Sequence, residues 1–405
     1  MINKCVKFEA TKSITMIYNK LGRTGLDVST IALGCEGFAG KREEDVVKDF
    51  DFAEEAGINF FDLYASNPDL RSNLGKAIAG RRDKFIVQGH LCSIWEKGQY
   101  LRSRNINKTK RSFDDLLTRL GTDYVDVGMI HYIDTEKDFH KVFDGEIVKL
   151  AQQYKWEGKI HFIGISSHNP KVAQMAVETG IIDVLMFSIN PCYDLQPATE
   201  VVEDLWAEEH YKSGLQNIDA DREKLYETCE RLGVGIDVMK VYGGGDILNE
   251  LDSPFGKALT PVQAINYALT RPAVSAVMVG CKNTDEMKSA IAWCSATEKE
   301  RDYASAISTM KKFTWKGHCM YCGHCAPCTA GIEIASVNKF YNLVKSRNSE
   351  KYGEQNAVPE TVREHYKLLA HHASECVKCG ACQERCPFGV EIIKGMDMAA
   401  ERFGY

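Results

Sequence analysis

Residues 42–63, REEDVVKDFDFAEEAGINFFDL, join two different patterns in one short stretch. In the first part, apolar side chains fall at three- and four-residue spacing, as at Val46, Phe50 and Ala53, and Gly57 follows. This spacing is typical of an amphipathic helix, and a glycine just past the last apolar position commonly ends one. The run NFFDL, residues 59–63, is short and apolar, which indicates a buried strand. The stretch therefore predicts a helix that leads directly into a strand.

The same alternation repeats along most of the chain, for example in the helical pattern NKTKRSFDDLLTRLG at 107–121. The strand candidates are TIALG (30–34), NFFDL (59–63), KFIVQG (84–89), YVDVGMIH (124–131), KIHFIGIS (159–166), VLMFSIN (184–190), VGIDVMK (234–240) and VSAVMVG (274–280). Eight strand and helix units over about 250 residues predict a (β/α)8 TIM barrel. A doubly wound sheet is the alternative, but IALGCEGFAG lacks the GxGxxG spacing that usually follows its first strand.

A barrel of this kind carries its active site at the C-terminal ends of the strands. The residues at these ends are Asp62, His90, His131, Ser166, Ser167, His168, Asn190, Lys240 and Gly280. Tyr132, Tyr193, Asp194 and Tyr242 follow strand ends and are expected to line the pocket. The sequence thus predicts one site built from several strands.

The chain is predicted to hold four segments. They are an N-terminal extension (1–16), the barrel (17–296), a helical linker (297–316) and a second, mainly helical unit (317–405).

Charge and composition narrow the classes of partner. The net charge is −6 and the sequence pI about 6.0, so no basic surface for nucleic acid or anionic lipid is expected. A small-molecule substrate is the expected partner. The sequence shows neither a cleavable leader nor an apolar run long enough to cross a membrane, which predicts a cytoplasmic protein.

Cysteine is the outlier, at 15 residues in the chain. Without an export signal, such a number indicates metal or redox chemistry rather than a disulfide framework. Eight of these cysteines form two quartets, namely Cys319, Cys322, Cys325, Cys328 and Cys376, Cys379, Cys382, Cys386.

The second quartet, in CVKCGACQERCP, has the C-x2-C-x2-C-x3-C-P spacing of two-cluster ferredoxins. In that arrangement three thiolates hold one [4Fe–4S] cluster and the fourth binds the other cluster. We therefore assign Cys319, Cys322, Cys325 and Cys386 to one cluster, and Cys376, Cys379, Cys382 and Cys328 to the other. Two zinc sites are the alternative, which the third cysteine of each run and the final proline disfavour.

Two further segments, IEIASVNKFYNLVKS (332–346) and PETVREHYKLLAHHAS (359–374), are helical by pattern. The C-terminal unit is therefore predicted to be a ferredoxin-like domain that is mostly α-helical. Its clusters could be structural or could carry electrons, and the presence of two favours electron transfer.

With these motifs in this order, the chain resembles the aldo-keto reductases, specifically the prokaryotic branch with a C-terminal helical ferredoxin domain. The segments that carry the resemblance are YNKLGRTGLDVSTIALG, AGINFFD, DYVDVGMIH, GKIHFIGISSHNP, GVGIDVMKVYGGG and VMVGCKNTDEM. The resemblance implies an NADPH or NADH cofactor and a catalytic tetrad of Asp, Tyr, Lys and His, in which the Tyr protonates a substrate carbonyl.

Two members of this tetrad are replaced in this sequence. Asp62 and His131 match the family's Asp and His, but Asn67 stands in the position of the Tyr and His90 in that of the Lys. An amide is no general acid near neutral pH, so another group has to donate the proton. The candidates are Tyr64, His90 and His131, and we favour a histidine because the imidazole pKa lies near working pH.

The resemblance also implies the cofactor contacts. Ser166, Ser167 and Asn190 match positions that hold the nicotinamide carboxamide, and Lys240 ends the neighbouring strand. The phosphate and adenine region corresponds to Gly280, Lys282, Asn283 and Glu286, where Lys282 could favour NADP over NAD.

Three functions remain open at this point. The first is an oxidoreductase acting on a small carbonyl or enone, whose clusters exchange electrons with a ferredoxin or flavoprotein partner, as expected of an anaerobe. A flavin would bridge one- and two-electron steps, although the sequence shows no flavin signature. The second is a lyase, dehydratase or isomerase that uses His90, His131 and Asp62 and has structural clusters. The third is an electron-transfer or scaffold subunit with a vestigial barrel.

Overall fold

The computed structural model describes residues 5–7, 13–201, 217–250, 253, 255–308, 317, 319, 325–345, 358–386 and 388–405. Its strands are β1 (Cys5–Lys7), β2 (Ser13–Thr15), β3 (Tyr18–Lys20), β4 (Asp27–Ser29), β5 (Ile31–Gly34), β6 (Phe60–Leu63), β7 (Ile86–Leu91), β8 (Ser93–Glu96), β9 (Gln99–Arg102), β10 (Val125–Ile130), β11 (Ile160–Ser167), β12 (Val184–Ser188), β13 (Gly235–Met239) and β14 (Val274–Gly280). Its α-helices are α1 (Glu43–Glu55), α2 (Pro68–Ile78), α3 (Ile106–Leu120), α4 (Glu136–Phe143), α5 (Glu146–Trp156), α6 (Pro170–Glu178), α7 (Ala220–Leu232), α8 (Pro261–Leu269), α9 (Thr284–Ile291), α10 (Glu298–Arg301), α11 (Ala304–Ser308), α12 (Ile334–Lys345), α13 (Glu360–Lys367), α14 (Ala381–Arg385) and α15 (Ile392–Phe403).

Eight parallel strands close into a barrel in the order β5, β6, β7, β10, β11, β12, β13 and β14. The predicted (β/α)8 fold is confirmed, and each predicted strand overlaps one barrel strand. The strands could be recognised because most of their residues are buried, so their sequences are almost continuously apolar.

The floor of the barrel is closed by the antiparallel hairpin of β3 and β4. Its Leu21 and Val28 are fully buried and pack onto apolar side chains from the barrel interior. The interior side chains of this cluster are Ala32, Phe60, Val127, Met129, Val184, Met186, Ala276 and Met278. The lower half of the barrel is therefore a packed core, which leaves the upper, C-terminal end for polar groups.

The described parts of the segments on either side of the barrel contain regular structure and core contacts. Strands β1 and β2 pair within the predicted extension, and Met16 is buried in the main hydrophobic core. Beyond residue 296, Tyr303, Ala304 and Ile307 are buried in the same core, so the first half of the predicted linker packs on the barrel. Residues 309–316 lie outside the described ranges.

The C-terminal domain is helical, as predicted, and has a core of its own. Helices α12 and α15 pack together, and the ring of Tyr366 on α13 stacks on Phe403 with centroids 4.0 Å apart. Helix α13 ends at Lys367, earlier than the pattern over 359–374 indicated, and a short 3-10 turn at Ala373–Glu375 follows. Among the described helices, none is long and apolar enough to span a bilayer.

The two domains are joined by packing as well as by the chain. Helices α12 and α13 contact α7 of the barrel. Phe388, two residues after Cys386, is 4% exposed and belongs to the main hydrophobic core of the barrel. The end of the second cysteine run is therefore anchored in the barrel.

Candidate active site and cluster-binding cavity

Strand periodicity brings four polar side chains to the upper barrel interior. Alternate residues of a strand face the same side, so Asp62 on β6 lies inward like Phe60, and Gln88 and His90 share one face of β7. His131 directly follows β10 and is in phase with the interior Val127 and Met129. All four side chains are at most 5% exposed.

Asp62, His90 and His131 form a continuous hydrogen-bonded series. Asp62 Oδ1 lies 2.8 Å from His90 Nε2, and His90 Nδ1 lies 2.8 Å from His131 Nδ1. The structure therefore brings together the three polar residues that the sequence placed at neighbouring strand ends.

The series extends to a residue that the sequence analysis missed. The hydroxyl oxygen of Tyr100 lies 2.5 Å from His131 Nε2, and the Tyr100 side chain is 36% exposed. We call Asp62, His90, His131 and Tyr100 the histidine chain. It runs from the barrel interior to the mouth.

The tautomers of the two histidines follow from which groups in the histidine chain can donate and which can accept a hydrogen bond. A carboxylate only accepts, so neutral His90 carries its proton on Nε2 and its Nδ1 is an acceptor. His131 must then donate from Nδ1, which leaves its Nε2 to accept from the Tyr100 hydroxyl. Burial, with His90 nearby and Arg104 and Arg102 in support, holds the pKa of His131 well below its ordinary value, so the neutral form is the resting one.

Tyr100 belongs to the hairpin of β8 and β9, which is inserted after the third barrel strand. The two-residue turn, Lys97 and Gly98, has positive φ at both positions, as a type I′ turn requires. Ser93 Oγ donates to the Tyr64 carbonyl at 2.5 Å, which ties the hairpin to the barrel top. Burial raises the pKa of Tyr100 to about 12, so its hydroxyl stays protonated near neutral pH.

The residue in the position of the family's Tyr has a structural task instead. Asn67 is the N-cap of α2, where its side-chain oxygen accepts from the backbone N–H of Leu70 at 2.9 Å, and Pro68 follows as the first helical residue. An amide in this position therefore stabilises the start of α2.

Tyr64, one of the predicted proton donors, stacks its ring on His131 with centroids 5.7 Å apart. Burial, followed by the effect of the Glu36 carboxyl group, raises the pKa of its hydroxyl far above the ordinary value. The ring of Tyr64 thus covers the imidazole.

Below the histidine chain lies a second carboxyl group that the sequence analysis did not consider. Gln88 Nε2 donates to Asp62 Oδ1 at 3.1 Å and to Asp237 Oδ2 at 2.8 Å. Asp237 is fully buried, and burial raises its pKa to about 8. A polar residue within an apolar strand run was the available signal in both Gln88 and Asp237.

The predicted nicotinamide contacts are not equivalent in the structure. Ser166 on β11 is 3% exposed, and its hydroxyl has no hydrogen-bond partner among the described residues. Ser167 donates to the Ile133 carbonyl and accepts from the Asn169 N–H, so it is committed internally. The Ser166 hydroxyl fits a carboxamide ligand. Without a hydrogen-bond partner, a buried hydroxyl loses its bonds to water and gains none in the protein.

Asn190 and Lys240 hold the ends of β12 and β13 together. The Asn190 amide donates to the Lys240 carbonyl at 2.8 Å, and its oxygen accepts from the N–H groups of Cys192 and Tyr193. Asn190 therefore retains one N–H for a ligand. The Lys240 side chain is exposed and its backbone has a left-handed φ of 62°.

The predicted phosphate region lies at the N-terminus of α9. Gly280, Lys282, Asn283 and Glu286 are all exposed there. Asn283 caps the helix, and Glu286 accepts from the Lys282 N–H at 2.7 Å. A bound phosphate would have to displace Glu286, while the Lys282 ammonium is available for charge pairing.

Two of the residues expected to line the pocket are buried instead. Asp194 is fully buried and accepts from the hydroxyls of Tyr226 and Tyr267 at 2.5 and 2.8 Å, and Tyr193 is 3% exposed. Asp194 therefore serves a buried hydrogen-bond network, and the expectation that these two residues line the pocket stays a prediction. Tyr132 is partly exposed and lies edge-on to His131, and Tyr242 is partly buried.

The second candidate site is a cavity in the C-terminal domain. Its lining includes the four cysteines assigned to one cluster, Cys328, Cys376, Cys379 and Cys382. Hydrogen bonds from the Thr329 hydroxyl and the Ala381 N–H lower the pKa of the Cys379 thiol, which favours the thiolate needed for metal binding. Four thiols around one cavity fit an iron–sulfur cluster.

The other predicted ligand set is only partly described. Cys322 lies outside the described residues, whereas Cys319, Cys325 and Cys386 are within them. Asn338 Nδ2 lies 3.6 Å from Cys319 Sγ, and the Val390 N–H lies 3.5 Å from Cys386 Sγ. Such N–H contacts to sulfur are typical of the surroundings of cluster ligands.

An eight-stranded parallel barrel with ionisable side chains at its strand ends defines a TIM-barrel enzyme, here joined to a cysteine-rich helical domain. Residues 30–258 match the aldo/keto reductase family, and residues 316–390 match the 4Fe-4S dicluster domain. The chain belongs to the aldo/keto reductase family, carries a C-terminal 4Fe-4S dicluster domain and is an oxidoreductase.

Individual relatives agree with this assignment. The uncharacterized oxidoreductase YqkF of Bacillus subtilis (strain 168) is 27% identical over 320 residues, which are 74% of this chain and 98% of that protein. L-galactose dehydrogenase of Arabidopsis thaliana is 34% identical over 155 residues, 36% of this chain and 47% of that protein. The holo form of the aldo-keto reductase AKR11C1 from Bacillus halodurans has the same fold, with a TM-score of 0.56 at 23% identity, covering 72% of this chain and 96% of that one.

Proposed function

We propose that the barrel interconverts a small carbonyl compound or enone and its reduced form with a nicotinamide dinucleotide, and that two [4Fe–4S] clusters exchange electrons with a redox partner. The observation that supports the barrel chemistry is the hydrogen-bonded series Asp62, His90 and His131 at the C-terminal end. It lies one strand away from the orphaned hydroxyl of Ser166, because β10 pairs with β11. Proton exchange and cofactor binding would therefore be adjacent.

Within this scheme the bound nicotinamide supplies or accepts a hydride. Ser166 would hold its carboxamide, with the remaining N–H of Asn190, and Lys282 would pair with a phosphate group. The histidine chain takes up and releases the proton. The imidazole of His131 accepts it, and the Asp62 carboxylate stabilises the positive charge through its hydrogen bond with His90. His90, in the position of the family's Lys, and His131 would thereby take over proton transfer from the replaced Tyr and Lys.

The C-terminal domain would supply one-electron chemistry through its clusters. The cavity lined by Cys328, Cys376, Cys379 and Cys382 lies in the C-terminal domain, while Phe388 anchors the loop after Cys386 in the barrel. This arrangement supports electron exchange with a ferredoxin or flavoprotein partner, the latter bridging one- and two-electron steps. Exposed clusters of this type are sensitive to oxygen, which suits an anaerobic setting.

The test uses the full chain, purified and iron-loaded under anaerobic conditions. Binding of NADPH and NADH is measured by nucleotide fluorescence, and oxidation of each is followed with a panel of small aldehydes, ketones and enones. We expect binding, substrate-dependent oxidation and, without substrate, bleaching of the visible cluster absorbance. Absence of binding and of turnover with both nucleotides, in protein whose clusters dithionite reduces, would overturn the barrel chemistry.

A further inference from the structure

We propose that Tyr100, on the inserted hairpin of β8 and β9, is the residue that exchanges a proton with the substrate oxygen, and that His131, His90 and Asp62 supply and remove that proton. This inference rests on the proposed carbonyl chemistry. It assigns the role of the replaced tetrad tyrosine to a tyrosine on the hairpin after the third barrel strand, whereas the family's Tyr position follows the second.

Placement is the first argument. Tyr100 is the one member of the histidine chain with a substantial exposed fraction, 36%, whereas Asp62, His90 and His131 are at most 5% exposed. Tyr100 is therefore the member of the histidine chain with the most contact with solvent. Tyr64 and Tyr132 also lie beside His131, but they contact it through their rings.

The rigidity of the hairpin is the second argument. Arg104 donates to the carbonyls of His131 and Tyr132 at 2.8 and 2.6 Å and to Asp138 Oδ2 at 2.6 Å. Arg102 donates to the same Tyr132 carbonyl at 2.8 Å, and its guanidinium lies over the Tyr132 ring. These bonds fix the strand that carries Tyr100 directly against the backbone of His131, so the hydroxyl is positioned by the fold.

The chemistry is the third argument, and it balances in both directions. In oxidation, the O–H bond of the alcohol breaks and its proton passes to the Tyr100 oxygen. The Tyr100 proton passes in turn to His131 Nε2. The hydrogen of the neighbouring C–H bond leaves with both bonding electrons, as hydride, to the oxidised nicotinamide. The resulting imidazolium is stabilised through His90 by the Asp62 carboxylate. In reduction, His131 first takes up a proton from solvent at Nε2. It passes this proton to the Tyr100 oxygen as Tyr100 protonates the carbonyl oxygen and the carbonyl carbon receives hydride.

The test compares Tyr100→Phe with Trp95→Phe in the anaerobically prepared full chain. Trp95 is the cross-strand neighbour of Tyr100, so its substitution disturbs the same hairpin and leaves the hydroxyl in place. General acid–base catalysis typically contributes about 10²- to 10⁴-fold, so Tyr100→Phe should lower kcat by about that factor with little change in the KM for the nucleotide. Trp95→Phe should stay within a few-fold of the parent.

A second readout does not depend on turnover. In ¹⁵N-histidine NMR spectra, the parent should show His131 protonated on Nδ1 and unprotonated on Nε2, with the opposite tautomer for His90. Removing the donor to His131 Nε2 destabilises the neutral imidazole, so the pKa of His131 should rise in Tyr100→Phe and not in Trp95→Phe. This shift tests the hydrogen bond between Tyr100 and His131, whereas the fall in kcat tests the proton transfer.

The outcomes separate the two levels of proposal. An active parent whose Tyr100→Phe variant keeps its kcat and its pH profile would overturn the role of Tyr100 and leave the carbonyl chemistry standing. The same result with a large loss in Tyr64→Phe would move the donor to Tyr64. A parent inactive with every carbonyl would instead reject the proposed function, and with it the substrate role of Tyr100.

Discussion

His90 Nδ1 and His131 Nδ1 lie 2.8 Å apart, so one proton is shared between two buried imidazoles. If both nitrogens carried a proton, the two N–H groups would collide; if neither did, two lone pairs would face each other. The pair therefore has a direction, and the Asp62 carboxylate sets it by requiring the proton of His90 on Nε2. This one carboxylate fixes the donor and acceptor roles as far out as the Tyr100 hydroxyl.

Replacing His90 should cost stability as well as activity. His90→Leu would leave the Asp62 carboxylate and the His131 Nδ1–H buried with one partner fewer, which should lower the free energy of unfolding by about 3 kcal/mol. His90→Gln, whose amide can donate and accept, should lose less. Chemical denaturation under anaerobic conditions measures both, and equal stability of His90→Leu and the parent would contradict the hydrogen-bonded pair.

The direction of the histidine chain also predicts a pH dependence. Alcohol oxidation needs a neutral His131 to receive the proton, and its pKa is lowered by burial first, then by His90, Arg104, Arg102 and His168. The oxidation rate should therefore stay level from neutral pH down to the ordinary histidine pKa and fall only in more acidic solution, as His131 becomes protonated. A profile that already falls between pH 8 and about 6.5, the ordinary imidazole pKa, would contradict this assignment.

Asp237 should make the protein less stable in alkaline solution. Its folded pKa of about 8 lies above the unfolded value of 3.8, so the folded state binds the extra proton and stability is lost as pH rises from the lower value to the higher. Asp237→Asn can still accept from Gln88 and carries no charge. We expect it to raise the free energy of unfolding by about 2 kcal/mol at pH near 9 and to change little near pH 5. An equal effect at both pH values would show a packing effect rather than ionisation.

The barrel and three members of its site could be predicted from the sequence because both follow from simple periodicities. Buried parallel strands give continuous apolar runs, and the last residue of each run lies at the active end of the barrel. Asp62, His90 and His131 needed no further information.

Tyr100 could not be found in this way. It lies on a hairpin whose turn uses Lys97 at positive φ, a position at which lysine gives little signal, and its approach to His131 depends on tertiary bonds from Arg102 and Arg104. Asn190 and Asp194 show the opposite problem, since polar residues at strand ends also serve internal networks. Sequence gives the position of such a residue and only the structure gives its partners.

The orphaned hydroxyl of Ser166 predicts a cofactor effect. If it holds the carboxamide, Ser166→Ala loses one hydrogen bond of about 1 kcal/mol, which corresponds to about a five-fold weaker binding of NADH or NADPH. Nucleotide fluorescence measures this without turnover. Ser295→Ala, at an exposed serine, is the matched control and should bind as the parent does. Unchanged binding in Ser166→Ala would remove Ser166 from the cofactor site.

The two predicted sets of cluster ligands, one with Cys376 and the other with Cys386, predict different consequences for the same loss of a thiol. Cys376 lines the cavity of the C-terminal domain, whereas Cys386 is followed by Phe388, which packs into the barrel core. Cys376→Ser should therefore lose about half of the iron, the content of one of two clusters, and leave the thermal unfolding of the barrel unchanged. Cys386→Ser should lose a similar amount of iron. It should also lower the unfolding temperature, because the cluster no longer holds the loop that carries Phe388.

Cys294→Ser, at a half-buried cysteine outside both runs, is the control and should keep all of its iron. Iron content, visible absorbance and thermal unfolding by circular dichroism are measured on the three variants in parallel under anaerobic conditions. Unfolding of the barrel in Cys376→Ser would show that this cluster is structural for the whole chain, and electron exchange would then lose its support. An intact barrel with nucleotide binding preserved and cluster bleaching by NADPH or NADH altered would instead connect that cluster to the redox chemistry of the barrel.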